Sequence, residues 1–206
     1  MTGSGARPAP TPRRRDPERR QRILTAAAGL VAERGYHEVA MSDIGAAAGI
    51  VGSGIYRHFD GKSAVLVALF DRVIDDLTRG SAEILARGLD PAATLTQLIE
   101  AHVRIVLEDR TLMRVYHSEI ASLPADDSRR LRRKQRLYIE EWVHVLELLR
   151  PEADDAALRA LVHAAIGAVQ STLFYASGLP GERLAALMAA AAHATLFVPV
   201  PAADPR

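Results

Sequence analysis

The sequence predicts an all-α chain of about nine helices. Apolar residues recur at helical spacing along almost its whole length, no stretch alternates for long like a strand, and the periodic runs break at Gly and Pro. With 206 residues, 49% of them apolar, there is ample material for a core, so disorder of the whole chain is excluded.

Residues 1–16 hold little to bury and end in Arg13, Arg14 and Arg15, so a disordered basic arm is expected there. Arg19, Arg20 and Arg22 carry its charge into the first helix, where Ile23, Ala27, Leu30 and Val31 form an apolar face. Ser42 to Ala48 reads as a short helix with Ile44, Ala47 and Ala48 at helical spacing, stopped by Gly49, which accepts a left-handed conformation at little steric cost. Gly52, Ser53 and Gly54 open a second short helix, 53–59, in which Ile55, His58 and Phe59 can share one side while Tyr56 and Arg57 point elsewhere. Two short helices joined by a glycine turn make a helix-turn-helix. Its apolar side needs cover from the first helix and from the run Val65, Leu66, Leu69, Phe70, Val73, Ile74, Leu77 downstream.

Further along, Gly88 to Pro91 is a strong break, and Pro91 suits the first turn of the next helix. Leu95, Leu98, Ile99, His102, Ile105 and Val106 carry that helix, and Arg110 to Leu123 another, stopped by Pro124. A long helix is expected from about Ser128 to Leu149, ending before Pro151, then two more over about 154–176 and 180–197. The last two are apolar nearly all round and rich in small residues: Ala164, Gly167 and Ala168 in one, Leu187 and Ala191 in the other. Such helices need burial on two sides, and a partner subunit would supply the second.

Around the glycine turn the sequence resembles the N-terminal domain of the TetR family of bacterial transcriptional repressors. The resemblance covers roughly 17–75 and rests on Ile44, the Ala48-Gly49-Ile50 step, Ile55-Tyr56, His58-Phe59 and Lys62 followed by Ala64 to Leu69. It implies a dimer, DNA reading by the second short helix, a divergent C-terminal ligand-binding domain, and a four-helix interface made by the last two helices of each subunit. Where the family usually has Thr or Ser, this chain has Ala40, so Ser42 is expected to cap the first short helix, without a Glu or Gln three residues on because Gly45 stands there. Hydroxyls are also missing at Val51 and Gly54. Ser42, Ser53, Tyr56, Arg57, His58 and Lys62 are then the expected DNA-contacting side chains, beside the backbone at Gly52 and Gly54, with Arg13, Arg14, Arg15 and Arg19 on phosphates or in a minor groove. The resulting division is arm 1–16, DNA-binding domain 17–62, connecting helix 63–88, ligand-binding and dimerisation domain 89–198, and tail 199–206.

Composition narrows the alternatives. Net charge is only +1, but residues 1–80 carry 12 basic against 9 acidic side chains and the remainder 14 against 16, so the small basic excess lies with the helix-turn-helix. There is no Cys, which removes disulfides, thiolate metal sites and cysteine nucleophiles and fits a cytoplasmic protein. The run Leu184 to Pro201 is too short and weakly apolar for a membrane span. Gly61-Lys62-Ser63 resembles the end of a phosphate loop, but the loop's first Gly would fall at Tyr56 and a helix precedes it instead of a strand. Glu141 and His144 have the spacing of a di-metal helix motif that occurs here once, and such sites need two copies. No cofactor, metal or catalytic group is called for.

Arg104, Tyr116, His117, Glu119, Tyr138, Trp142, Gln170 and Phe174 are the polar and aromatic candidates for a ligand pocket. Arg129, Arg130, Arg132, Arg133, Lys134 and Arg136 form the densest basic cluster, read as a solvated face, a partner for acids on adjacent helices, or a hold for the phosphates of an anionic ligand. The Arg-rich helix before Tyr138 and Trp142 is similar to that of TetR-like regulators that sense acyl-CoA thioesters. The reading is thus a dimeric DNA-binding regulator released from a palindromic operator by a small molecule. The competing class is a helical-bundle carrier or enzyme.

Overall fold

The computed structural model describes residues 17–50 and 52–200. The expected basic arm with Arg13, Arg14 and Arg15 lies outside the described residues, as does Val51. Among the described residues eight α-helices follow one another: α1 Pro17–Arg34, α2 Met41–Ala47, α3 Lys62–Leu85, α4 Pro91–Glu108, α5 Arg110–Glu119, α6 Ala125–Leu149, α7 Asp155–Gln170 and α8 Gly181–Leu196. A six-residue 3-10 helix, Gly52–Arg57, stands between α2 and α3 as the ninth helical element, and shorter 3-10 turns extend α5 and α7. No strand occurs among the described residues.

Capping chemistry explains most boundaries. The Asp90 carboxylate accepts the Ala92 and Ala93 N–H groups at 3.1 and 3.0 Å, with Pro91 in the first turn, so α4 starts where the sequence places it. Asp109 accepts from Leu112 N–H (3.2 Å) and Asp154 from Ala157 N–H (2.7 Å) at the starts of α5 and α7.

Three boundaries differ from expectation. Helix α2 begins at Met41 with Ala40 as its cap, not at Ser42; Asp43 reaches back to accept the Ala40 N–H at 2.9 Å, the acidic half of a capping box without its hydroxyl half. Helix α6 starts at Ala125, about one turn earlier than expected, so Asp126 and Asp127 occupy its first turn and the basic cluster lies further in. Helix α7 stops at Gln170, short of the expected 176. There Ser171 Oγ and Thr172 Oγ1 donate to the carbonyls of Ala168 (2.7 Å) and Val169 (2.8 Å), tightening the chain into a 3-10 turn. Arg110 then donates to the carbonyls of Thr172 and Tyr175 (2.9 Å to the latter), which would otherwise lack partners.

One buried apolar cluster runs from Ile23 in α1 to Leu196 in α8, so the N-terminal helices and the C-terminal bundle share a core. Helix α3 is their common member: it begins at Lys62, at the expected boundary, and packs on α1, α4, α5 and α6. At the far end the guanidinium of Arg150, 6% exposed, donates to the carbonyls of Leu196 (2.9 Å) and Val198 (2.8 Å) and closes the C-terminus of α8. The segment Asp155–Phe174 is long and apolar enough to cross a membrane by composition; its apolar side lies instead against α4, α6 and α8.

Candidate DNA interface and effector cavity

The turn between α2 and the 3-10 helix is built from glycines with distinct tasks. Gly49 has φ +68° and lets the chain leave α2, after which Ile50 N–H returns to the Gly45 carbonyl at 2.8 Å. A side chain at Gly54 would put its Cβ 2.8 Å from Ile50 Cγ2, so only glycine fits this buried position. Gly54 is thus part of the packing, not of the DNA-facing surface expected of it. Ile55 and Phe59 are buried beside it and fix the rotation of the short helix, leaving Ser53, Tyr56 and Arg57 outward, Tyr56 with 55% of its surface free. Ser42 and Gly52 are exposed on the same N-terminal unit, His58 is half-buried, and Arg19 is exposed at the start of α1. Arg20 lies over the Phe59 ring, 5.0 Å from its centroid, and joins α1 to the end of this unit.

Lys62 has a task the sequence did not reveal. Its ammonium donates to the carbonyls of Tyr36 (2.7 Å) and His37 (3.2 Å) and sits 4.4 Å from the Tyr36 ring centroid. It therefore ties the first turn of α3 to the loop leaving α1.

In the bundle, a cavity of about 80 Å³ is walled by α3, α4, α5, α6 and α7. Of the predicted ligand residues it gathers Tyr116, Tyr138 and Gln170, together with His102, Gln135 and His163, and Ile74 and Leu77 of α3. Tyr116 donates to Gln135 Oε1 at 3.3 Å, and its ring meets Phe70 of α3 edge-on at 5.1 Å. Burial pushes its hydroxyl pKa up to about 12, against the opposing charge of Arg132. His102 Nδ1 and the Tyr138 hydroxyl are 3.0 Å apart. Burial lowers the His102 pKa to about 4, so its ring is neutral, and burial raises that of Tyr138.

The remaining predicted ligand residues lie elsewhere. Trp142 is buried one layer behind, its ring 6.1 Å from Tyr138 and 5.8 Å from His102. His117 pairs with Gln170 Oε1 at 3.1 Å and meets Phe174 edge-on, but both side chains are exposed. Arg104 is exposed on the outer face of α4, lining surface grooves toward α3 and α8. Glu119 turns to Ser122 Oγ (3.0 Å) and acts by its charge on Tyr36. The separation has a physical cause: residues one or two apart on a helix, such as His102 and Arg104 of α4, face different neighbours, which residue type alone does not rank.

The basic cluster of α6 divides in two. Arg130 makes a bidentate pair with Asp71 of α3 (2.6 and 2.8 Å), Lys134 bridges Asp71 and Asp75 (2.8 and 2.9 Å), and Arg129 pairs with Asp126. Burial would raise the Asp71 pKa, but the Arg130 and Lys134 hydrogen bonds outweigh it and hold the carboxyl below its usual range. This network borders a wide polar groove of about 810 Å³ between α1, α3 and α6. Arg132, Arg133 and Arg136 are exposed and, among the described residues, form no ion pair.

A family model described as "Bacterial regulatory proteins, tetR family" matches residues 23–69, and one described as "Tetracyclin repressor-like, C-terminal domain" matches 88–173. The chain belongs to the TetR family. Among relatives, the HTH-type transcriptional repressor KstR2 of Rhodococcus jostii is 34% identical over 130 residues, 63% of this chain and 64% of that protein, so the alignment spans less than two thirds of the relative's length. A TetR-family regulator from Bordetella parapertussis, solved by crystallography, is 26% identical, covers 82% of this chain and 93% of its own, and superposes with a TM-score of 0.73. AibR in complex with isovaleryl coenzyme A and operator DNA is 18% identical, covers 84% and 97%, and shares the fold with a TM-score of 0.73.

Proposed function

We propose that this TetR-family chain is a transcriptional repressor that binds a palindromic operator as a dimer in the cytoplasm and is released by an acyl-CoA thioester. The observation that carries the reading is the double membership of α3, which begins at the DNA-facing unit and ends as a wall of the effector cavity through Ile74 and Leu77. A group entering the cavity displaces α3 or is repelled by it, and the segment Gly52–Arg57, whose Ile55 and neighbouring Phe59 are buried in the core that α3 shares, follows. Two such segments must lie about 34–36 Å apart to meet successive major grooves. A ligand that favours another spacing lowers operator affinity through its differential affinity for the two states.

Charge and apolar surface support the finer parts. Arg132 lies close enough to act on Tyr116 at the cavity wall, and with Arg133 and Arg136 it offers unpaired guanidinium groups for phosphates, while the apolar cavity wall takes an acyl chain. The cavity is far below the roughly 300–1,000 Å³ of ordinary ligand pockets, so binding parts α5, α6 and α7. AibR shows that the fold accommodates a coenzyme A thioester and operator DNA together. For the dimer, Ala164 and Gly167 are exposed on α7, a Cβ added at Gly167 would meet nothing within the subunit, Leu187 is 51% exposed on α8, and Ala168 and Ala191 are half-buried beside them. Such a face of small and apolar side chains fits close packing against its copy. Sequencing the genomic fragments retained by the purified protein, then titrating a retained fragment with acyl-CoA thioesters, tests the reading. Recovery of no common palindrome would overturn the DNA-binding part, and retention at saturating thioester would overturn the effector.

A further inference from the structure

The effector cavity contains polar groups that a plain hydrocarbon chain would leave unsatisfied. His102 is 1% exposed and lines the cavity; its Nδ1 is engaged with the Tyr138 hydroxyl at 3.0 Å, and its Nε2 is buried without a partner. Trp142 Nε1, also buried, has no hydrogen bond of acceptable geometry, though the indole N–H acts on the Tyr138 oxygen closely enough to oppose the rise in its pKa. The order of donors follows from chemistry. Among the described residues the Tyr138 hydroxyl has His102 Nδ1 as its one hydrogen-bond partner, so the tyrosine proton goes there, and a neutral imidazole with Nδ1 as acceptor carries its proton on Nε2. A buried N–H left unpaired costs more than a made hydrogen bond returns, so the group is expected to be satisfied in the functional state.

We propose that His102 Nε2–H is a specificity-determining donor in the effector cavity, selecting effectors whose acyl portion bears an uncharged oxygen, a carbonyl or a hydroxyl, over plain alkyl chains. The class is uncharged because no Lys or Arg lines the cavity: its polar residues besides His102 and His163 are Tyr116, Gln135, Tyr138 and Gln170, and burying a carboxylate without a fixed cation is far costlier than burying a carbonyl. Volume fits a short oxygenated group, since about 80 Å³ is less than the apolar cavity of about 150 Å³ known to hold benzene. The proposal rests on this cavity being the effector site, not on which DNA the protein binds.

The test uses the full-length protein with ¹⁵N-labelled histidine and no DNA, titrated with 2-butanone and with its hydrocarbon isostere 2-methyl-1-butene while the His102 Nε2–H resonance is followed. The ketone is expected to shift that resonance and to bind about tenfold more tightly than the alkene, the effect of one buried hydrogen bond. In His102→Phe, which keeps an aromatic ring but removes the donor, that preference should vanish or invert. Equal or tighter binding of the alkene by the wild type overturns the proposal. So does a resonance that neither compound moves, which would leave His102 served by water alone. If the variant does not fold, the wild-type pair still decides. Ketone binding in a protein that retains no operator would defeat the regulatory reading while leaving this subsite intact.

Discussion

Replacing Lys62 by Met keeps most of the aliphatic stem and removes the ammonium, which separates two roles the residue could have. The structure gives that ammonium two carbonyl acceptors, at 2.7 and 3.2 Å, and an aromatic face at 4.4 Å. A hydrogen bond from a charged donor is worth about 1.5–3 kcal/mol and a partly exposed cation–π contact about 0.5–1 kcal/mol. Lys62 is half-buried and water can replace it at the carbonyls, so the net loss should be about 2–3 kcal/mol. For a chain of this size that lowers Tm by about 5–10 °C. Urea denaturation gives the free energy, and amide exchange should quicken first at Tyr36 to Ala40 and in the first turn of α3. Unchanged stability combined with weaker DNA binding and a salt slope reduced by about one would exclude the tying role and return Lys62 to the phosphate-contact role expected from sequence.

Other substitutions separate the remaining roles. Gly54→Ala forces a Cβ to within 2.8 Å of Ile50 and should cost about 1–3 kcal/mol in denaturation, whereas Tyr56→Ala should leave stability within about 0.5 kcal/mol and weaken operator binding in a gel-shift titration. Asp71→Asn should cost only about 1 kcal/mol, since Arg130 and Lys134 are each more than a third exposed. Because the folded-state pKa of Asp71 lies below the unfolded one, its contribution is full above about pH 4 and is lost as pH falls further, so the variant and wild-type stability curves should converge in acid. Ala168→Arg would set an unpaired charge in the proposed α7–α8 seam, and sedimentation should then report a monomer.

How much of this was legible in the sequence depended on the kind of signal. Helix identity came through because apolar residues recur at helical spacing within each element, and Ile23, Ile44, Ile55, Leu69 and Leu131, one from each of five elements, are all buried. The helix-turn-helix came through because Gly49 and the Ile55–Phe59 pair allow few alternative backbones. The start of α2 did not, because Asp43 caps by reaching backward, a contact that leaves no hydroxyl to read at position 40. The double duty of Lys62 was hidden because its acceptors are backbone carbonyls 25 and 26 residues away. Within the cavity Tyr116, Tyr138 and Gln170 were found by type, but His102 looked like any core histidine; its unpartnered nitrogen is visible only once Tyr138 is placed beside it.

In the proposed mechanism α3 transmits occupancy of the cavity to the spacing of the two DNA-facing segments. The chain has no cysteine, so Glu38→Cys, exposed in the turn before α2 and outside the DNA-contact candidates, gives one spin label per subunit. Pulsed dipolar spectroscopy on the dimer should give a label separation consistent with recognition segments about 34–36 Å apart on operator DNA, and a distribution displaced by several Å when an acyl-CoA thioester that releases the operator is added. An unchanged distribution at saturating thioester would contradict the account, because the operator would then be released without the movement of α3 on which it depends.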